Sequence, residues 1–468
     1  MKFLIKAFSF MIALLLLGNL ALAQKQTPPE GGTPKDFKLP AKQTFALDNG
    51  LNVALAPYGT LPKVTASLMI RVGNINEAAD EVWLADLTGN LMKEGTQTRS
   101  ATQVAEEAAS MGGQVNVGVG DDQTTINGDV LAEFGPGLIK LIADIARHPL
   151  LPESELPRLK KDLQRQLSIQ KTQPQLITLE KFRQALYPDH PYGRVFPTET
   201  MIESYTIDKV RGFYHANFGA ARARLYVAGR FDEKAVTTAI REAFGDWAKG
   251  ADAMTNIPQP VTKRAVHLVD RPGAAQSTIY FGLPVVDPSH QDYMALLVTN
   301  TLLGGFFSSR ITANIRENKG YTYSPNSAIS NRYRDAYWVQ VADVTTDVTG
   351  PALKEILYEI NRLQSEAPSE EELNGIKNYL AGVFVLQNSS RGGIVGQMGF
   401  LGLHGLSDSY LTEYVKNVFA LTPADVQRIA QQYLRDEEMT LAITGDVKKI
   451  KAQVEQVTQD MINVTKAN

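Results

Sequence analysis

Leu225-Tyr226-Val227-Ala228-Gly229, preceded by Val210-Arg211-Gly212-Phe213-Tyr214, returns as Leu441-Ala442-Ile443-Thr444-Gly445, preceded by Val426-Gln427-Arg428-Ile429-Ala430. The offset is about 216 residues, and in both places a helical pattern runs into an apolar strand. Working outward, the segments around Leu138-Ile139 and Leu156 to Leu159 match those around Leu353-Lys354 and Glu371 to Leu373 at nearly the same offset. A period this long is not that of a solenoid; it predicts two homologous domains. Strand and helix patterns alternate within each half, and hairpin signals are frequent. The expected fold class is therefore mixed α/β (α+β), each domain a largely antiparallel sheet packed with helices.

The first domain is expected over residues 41–249 and the second over 262–468. Between them, 250–261 reads as a linker because it carries Gly250, Pro258 and Pro260. Asp48-Asn49-Gly50 is a hairpin turn between strands at 44–47 and 51–56, and 63–72 is a third strand. In the second half 293–303 is an apolar helix, Gly304-Gly305-Phe306-Phe307-Ser308-Ser309 interrupts it, and 310–319 resumes as helix until Gly320. Residues 321–329 then alternate as a strand. The Gly392-Gly393, Gly396, Gly399, Gly402 series reads as close helix packing, with a hinge as the alternative. Gly118-x-Gly120 reads as a strand turn: no Lys and no helix follow it as a phosphate loop requires.

Of the 468 residues, 44% are hydrophobic and 21% charged, the balance of a globular chain with ample core. Lys2 and Lys6, an apolar run from Ala7 to Leu22 and Ala21-Leu22-Ala23 before Gln24 have the layout of a signal peptide over residues 1–23. The expectation is export to a bacterial periplasm with no membrane attachment after cleavage; an uncleaved anchor is the alternative. Residues 24–40, rich in Pro and Gly, read as a flexible arm. There is no Cys, which excludes disulfides, thiolate metal sites and a Cys nucleophile together. Loss of the two signal lysines takes the formal charge from -3 to about -5, and no basic stripe calls for nucleic acid.

Residues 83–96 read Trp-Leu-Ala-Asp-Leu-Thr-Gly-Asn-Leu-Met-Lys-Glu-Gly-Thr. Leu84, Leu87, Leu91 and Met92 recur at helical spacing, so Asp86, Gly89 and Asn90 share one face of a buried helix. An inverted zinc-protease motif, H-x-x-E-H, uses that geometry to aim two imidazoles and a general base at one metal. The frame resembles that of the pitrilysin-like (M16, insulinase) peptidase family, and the residues that would do the chemistry are replaced. Counting on from Asn90, the family's third ligand position holds Gln166, eight before Pro174. Asp86 retains one oxygen donor, Gly89 offers no base, and Asn90 and Gln166 are poor zinc ligands. The six histidines, His148, His190, His215, His267, His290 and His404, form no helical pair. No metal is expected in this chain.

The second half carries the other part of the resemblance. Gly304-Gly305-Phe306-Phe307-Ser308-Ser309-Arg310 and Arg316-Glu317-Asn318-Lys319-Gly320-Tyr321-Thr322-Tyr323 resemble the family signature in which an Arg and a Tyr seven apart bind the substrate backbone. The resemblance implies a clamshell half of the processing-peptidase type. It implies Arg316 and Tyr323 as catalytic groups acting in trans, and Gly304, Gly305 and Phe306 beside them as substrate-binding residues. It further implies a heterodimeric or heterotetrameric partner of the same family, carrying H-x-x-E-H and its zinc, and a peptide substrate. A peptide-binding or structural pseudopeptidase scaffold is the alternative.

Overall fold

The structure is a computed structural model that describes residues 37–459 and the backbone of 462–466. The expected signal peptide lies outside the described residues. Two six-stranded sheets carry the repeat. The first repeat runs β1 (Gln43–Ala46), β2 (Asn52–Pro57), β3 (Lys63–Ile70), α1 (Leu84–Met92), α2 (Ala101–Ser110), β4 (Gln114–Val119) and β5 (Thr124–Leu131). It continues with α3 (Gly135–Arg147), α4 (Leu156–Gln170), α5 (Pro174–Leu186), α6 (Ile207–Asn217), β6 (Ala223–Gly229) and α7 (Glu233–Phe244).

The second repeat opens with β7 (Ala265–Asp270), β8 (Gln276–Val285) and α8 (Tyr293–Leu303). Next comes α9, an α-turn at Arg310–Thr312 that widens into a π-helix over Ala313–Asn318. Then follow β9 (Asn326–Arg332), β10 (Asp335–Thr345), α10 (Thr349–Ser365), α11 (Glu370–Gln387) and α12 (Arg391–His404). The chain closes with α13 (Pro423–Tyr433), β11 (Thr440–Gly445), α14 (Val447–Thr458) and β12 (Ile462–Lys466).

The sheet orders are β1-β2-β6-β3-β5-β4 and β12-β7-β11-β8-β10-β9, so five strands of one sheet recur in the other in the same order. Most pairings are antiparallel; β2 with β6, β7 with β11 and β7 with β12 are parallel. The Asn-Gly signal makes a three-residue hairpin loop closed by Leu47 and Leu51, with Gly50 at φ +94°. One helix of each repeat crosses to the other repeat's sheet. Phe182 and Leu186 of α5 bury against Tyr337, Val339 and Ala442, and Ile394, Val395 and Met398 of α12 bury against Ala54, Ala56, Tyr226 and Ala228. The glycine series is explained here in part. A Cβ on Gly399 would meet Met69 Sδ at 2.4 Å, and one on Gly402 would meet the Tyr226 hydroxyl at 2.1 Å. Those two let α12 lie on the sheet, whereas Gly392 and Gly396 have open space around them.

The tips of the two equivalent hairpins meet at the seam. Asp121, between β4 and β5, holds Arg332 at 3.0 Å and Arg183 at 3.3 Å, while Asp122 accepts from the Tyr333 amide at 3.0 Å. Burial resists ionisation of Asp121, but the Arg332 and Arg183 guanidinium groups hold its carboxyl below the ordinary value. Duplicated tips of identical charge would repel; an acidic tip against a basic one attracts.

Two expectations need correction. Residues 321–329 are not one strand: β9 begins at Asn326, after Pro325, which has no amide hydrogen to donate to a ladder. Residues 37–40 are not free arm either, since the Phe37 ring packs edge-on against Phe384 at 5.1 Å and Leu39 packs on the second core.

Candidate functional site

Helix α1 begins abruptly. Trp83 at its N-cap has φ +70°, a left-handed conformation that a bulky residue holds only when its surroundings fix it. Here the Trp83 indole donates to the Val195 carbonyl at 3.1 Å, and the Tyr205 hydroxyl donates to the Val82 carbonyl at 2.6 Å. Glu77 reaches in to accept the Ala85 amide at 2.9 Å, satisfying one of the free N–H groups at the helix start. Burial pushes the Glu77 carboxyl up to about 8. Asn74 then donates to Glu77 at 3.1 Å and to Asp86 at 2.7 Å, and burial raises the Asp86 carboxyl as well.

The face that sequence spacing singled out is thus occupied by its own neighbours. Asp86 is tied to Asn74. A Cβ on Gly89 would lie 2.5 Å from Val119 Cγ2, so the sheet edge fills the room a base at that position needs. The Asn90 side-chain oxygen accepts from Lys93 Nζ at 3.0 Å, and Gln166 is exposed on α4, which packs along α1. A catalytic zinc site needs three converging donors of imidazole, thiolate or carboxylate type, with the fourth position left to water. Here a single carboxylate and two amides do not fit zinc. Among the described residues no three His, Asp or Glu side chains cluster closely enough to hold a metal.

In the second repeat the sequence-predicted residues do come together. Arg316, Tyr323, Gly305, Phe306 and Phe307 line one cavity of about 420 Å³ with Tyr379 of α11 and Pro325. Gly304 lies just beneath it: a Cβ there would meet Ser327 Oγ at 2.6 Å and Gln340 Oε1 at 2.7 Å. The glycine pair therefore lets the chain fold back over β9, and the Phe306 and Phe307 rings, not the glycines, form the wall. Arg310 fixes the start of α9 through a bidentate pair with Glu372 at 2.7 and 2.8 Å. Asn314 pins its middle to Glu355 and Glu359 at 3.0 and 2.8 Å. From Ala313 to Asn318 the backbone is a π-turn, an uncommon insertion that re-aims the side chains it carries; Asn314 anchors its first half and Arg316 sits in its second.

Gly320, at φ +65°, ends the helix, and Thr322 binds the Asp343 carbonyl at 2.7 Å, which leaves Tyr323 81% exposed. The Arg316 guanidinium lies 4.4 Å from the Phe307 ring centroid and 5.3 Å from that of Tyr323, and its Nη1 donates to Glu317 at 2.8 Å. Sequence reasoning missed Phe307 and Tyr379. Phe307 stood beside a chosen residue, but nothing local marks Tyr379, which reaches the cavity only because α11 packs there.

The comparisons with known proteins bear on the family and the fold. Residues 53–197 match the model of Insulinase (Peptidase family M16), and residues 204–380 match that of the Peptidase M16 inactive domain. The uncharacterized zinc protease YmxG of Bacillus subtilis is 25% identical over 85% of this chain and 97% of its own length. An uncharacterized zinc protease of Streptomyces coelicolor is 23% identical over 92% and 95%. Among solved structures, a peptidase M16 inactive domain from Pseudomonas fluorescens superposes with TM-score 0.79 at 22% identity, over 86% of this chain and 98% of that one. A protease from Helicobacter pylori gives 0.81 at 19%, over 87% and 100%. With two models of one family matched in order over most of residues 53–380, the chain belongs to the M16 (insulinase) peptidase family.

Proposed function

We propose that this chain is the non-catalytic, substrate-binding subunit of an exported, periplasmic M16 peptidase pair whose other subunit carries H-x-x-E-H and its zinc. The observation that carries the reading is the contrast between its two sites. Position 89 is closed by Val119, whereas Arg316 and Tyr323 share an open cavity. Bond cleavage belongs to the partner, and this chain's part is to hold the peptide. The Arg316 guanidinium donates to a substrate carbonyl, and the Tyr323 hydroxyl donates to the same oxygen as negative charge builds on it. Donors already in place before that charge develops lower the barrier to acyl transfer more than most other features of a site.

A second reading, a peptide-binding or structural scaffold without catalytic use of the pair, draws on the Arg316–Glu317 ion pair, which occupies one guanidinium nitrogen. One assay separates the two. The purified chain is mixed with an M16 partner bearing H-x-x-E-H, and cleavage of an unfolded peptide is followed for each subunit alone and for the mixture. The subunit reading expects activity only in the mixture; cleavage by this chain alone, with stoichiometric zinc, defeats it. Full activity of the partner without this chain leaves only the scaffold.

A further inference from the structure

The walls around Arg316 are more specific than a grip on peptide backbone requires. Phe306 and Tyr379 lie with ring centroids 4.0 Å apart and planes inclined at 36°. Phe307 and Tyr323 flank the guanidinium, and Pro325 closes another side. Large apolar side chains rarely face water together without a partner. Yet Phe307 is 61% exposed, Tyr323 81% and Tyr379 37%, all on one cavity of about 420 Å³. Glu317 pairs with Arg316, so the two charges at the cavity largely offset one another, and a further charged side chain of either sign would lose hydration among the rings. A neutral ring remains: it stacks or meets edges with the aromatic walls, and its face receives the guanidinium.

From this geometry we infer that the cavity is a specificity subsite for an aromatic side chain of an unfolded peptide, with Phe307 and Tyr379 as the residues that select it. The inference rests on the peptide-binding reading above and adds the class of sequence bound. Helix α11 supports an extended ligand beyond the subsite. Past Tyr379 a Cβ on Gly382 would meet nothing within 4 Å, and Leu386, 73% exposed, follows about 10 Å further along the axis.

The test uses the full chain and fluorescently labelled twelve-residue Gly/Ser peptides that differ at one central residue: Phe, Leu, Ala or Lys. Fluorescence anisotropy is expected to rank them Phe, Leu, Ala, Lys, with Phe about tenfold tighter than Ala. Phe307→Ala combined with Tyr379→Ala brings Phe and Ala within twofold. Phe307→Leu, which keeps apolar volume without a ring, retains part of the preference. Tyr358→Ala, exposed on α10 outside the cavity, leaves the ranking unchanged. Equal binding of Phe and Ala peptides to the unaltered chain, or a preference that survives the double substitution, overturns the subsite. In that case activation of an H-x-x-E-H partner still stands as support for the subunit reading. Failure to bind any of the peptides, together with failure to activate the partner, overturns both.

Discussion

The face of α1 and the cavity beside α9 are the two places where the family's chemistry would sit, and they are built in opposite ways. On α1 the face is occupied from within: Glu77 takes the Ala85 amide, Asn74 bridges Glu77 to Asp86, and Val119 fills the space over Gly89. Beside α9 a π-turn is anchored through Arg310 and Asn314, and Arg316 and Tyr323 face an open cavity. A helix can lose its function and keep its fold when neighbours supply the packing that ligands and a base would otherwise give. The second site, with its exposed rings, keeps a cost in stability that only a ligand repays.

The contrast predicts unequal responses to mutation. Arg316→Ala should lower the turnover of the assembled complex about a hundredfold, corresponding to roughly 3 kcal/mol of lost transition-state stabilisation, with assembly unchanged. Asn90→Ala, which removes only a side-chain bond to Lys93, should leave turnover unchanged. Steady-state kinetics with size-exclusion chromatography checks both. Equal effects at the two positions would erase the distinction between a closed and an open site.

Rebuilding the lost motif tests the closed side. Gly89→Glu forces a side chain into the Val119 methyl and should destabilise the fold by about 1–3 kcal/mol. Adding Val119→Ala should recover part of that loss. Thermal unfolding gives both numbers, and no loss in the single variant would mean that the edge strand yields.

These two sites were legible in the sequence to different degrees. The α1 frame could be read because its apolar residues form one stripe, and the repeat because it doubles the order of elements. Helix α5 escaped: its buried face contains Thr178 and Arg183 beside Phe182 and Leu186, with Thr178 donating to Thr444 on the other repeat's sheet and Arg183 to the Tyr192 carbonyl of its own repeat. The π-turn at Arg316 has no sequence mark, and the strand expected at 321–329 was a misreading of alternation across Pro325. Tyr379 enters the cavity through packing alone, and pattern reading along the chain does not see packing between distant segments.

The closed side also carries a pH signature. Glu77 is raised to about 8, so the folded chain holds that proton between roughly pH 4.5 and 8 while the unfolded chain has released it. Stability from this group is therefore full below about pH 4.5, falls as pH rises through the window, and is gone above about 8. Its slope is at most about 1.4 kcal/mol per pH unit. The raised Asp86 acts in the same direction. Glu77→Gln, neutral at every pH, should flatten the denaturant midpoint between pH 5 and 8; an unchanged slope would show that the carboxyl titrates normally.

The smallest effect bears on whether the open side is poised for use. Glu317 holds Arg316 at 2.8 Å, but its own side chain is 55% exposed, and such pairs contribute about 0.2–1 kcal/mol. A peptide carbonyl competes with this carboxylate for the guanidinium charge, although other N–H groups of Arg316 are left to it. Glu317→Gln should therefore tighten peptide binding up to about fivefold, and the gain should shrink at high salt, where the native pair is already screened. Anisotropy titrations at two ionic strengths measure this directly. Tighter binding places Arg316 on the ligand; an unchanged or weaker affinity would mean that the Glu317 pair shapes the cavity wall and that the peptide is held by the aromatic rings alone.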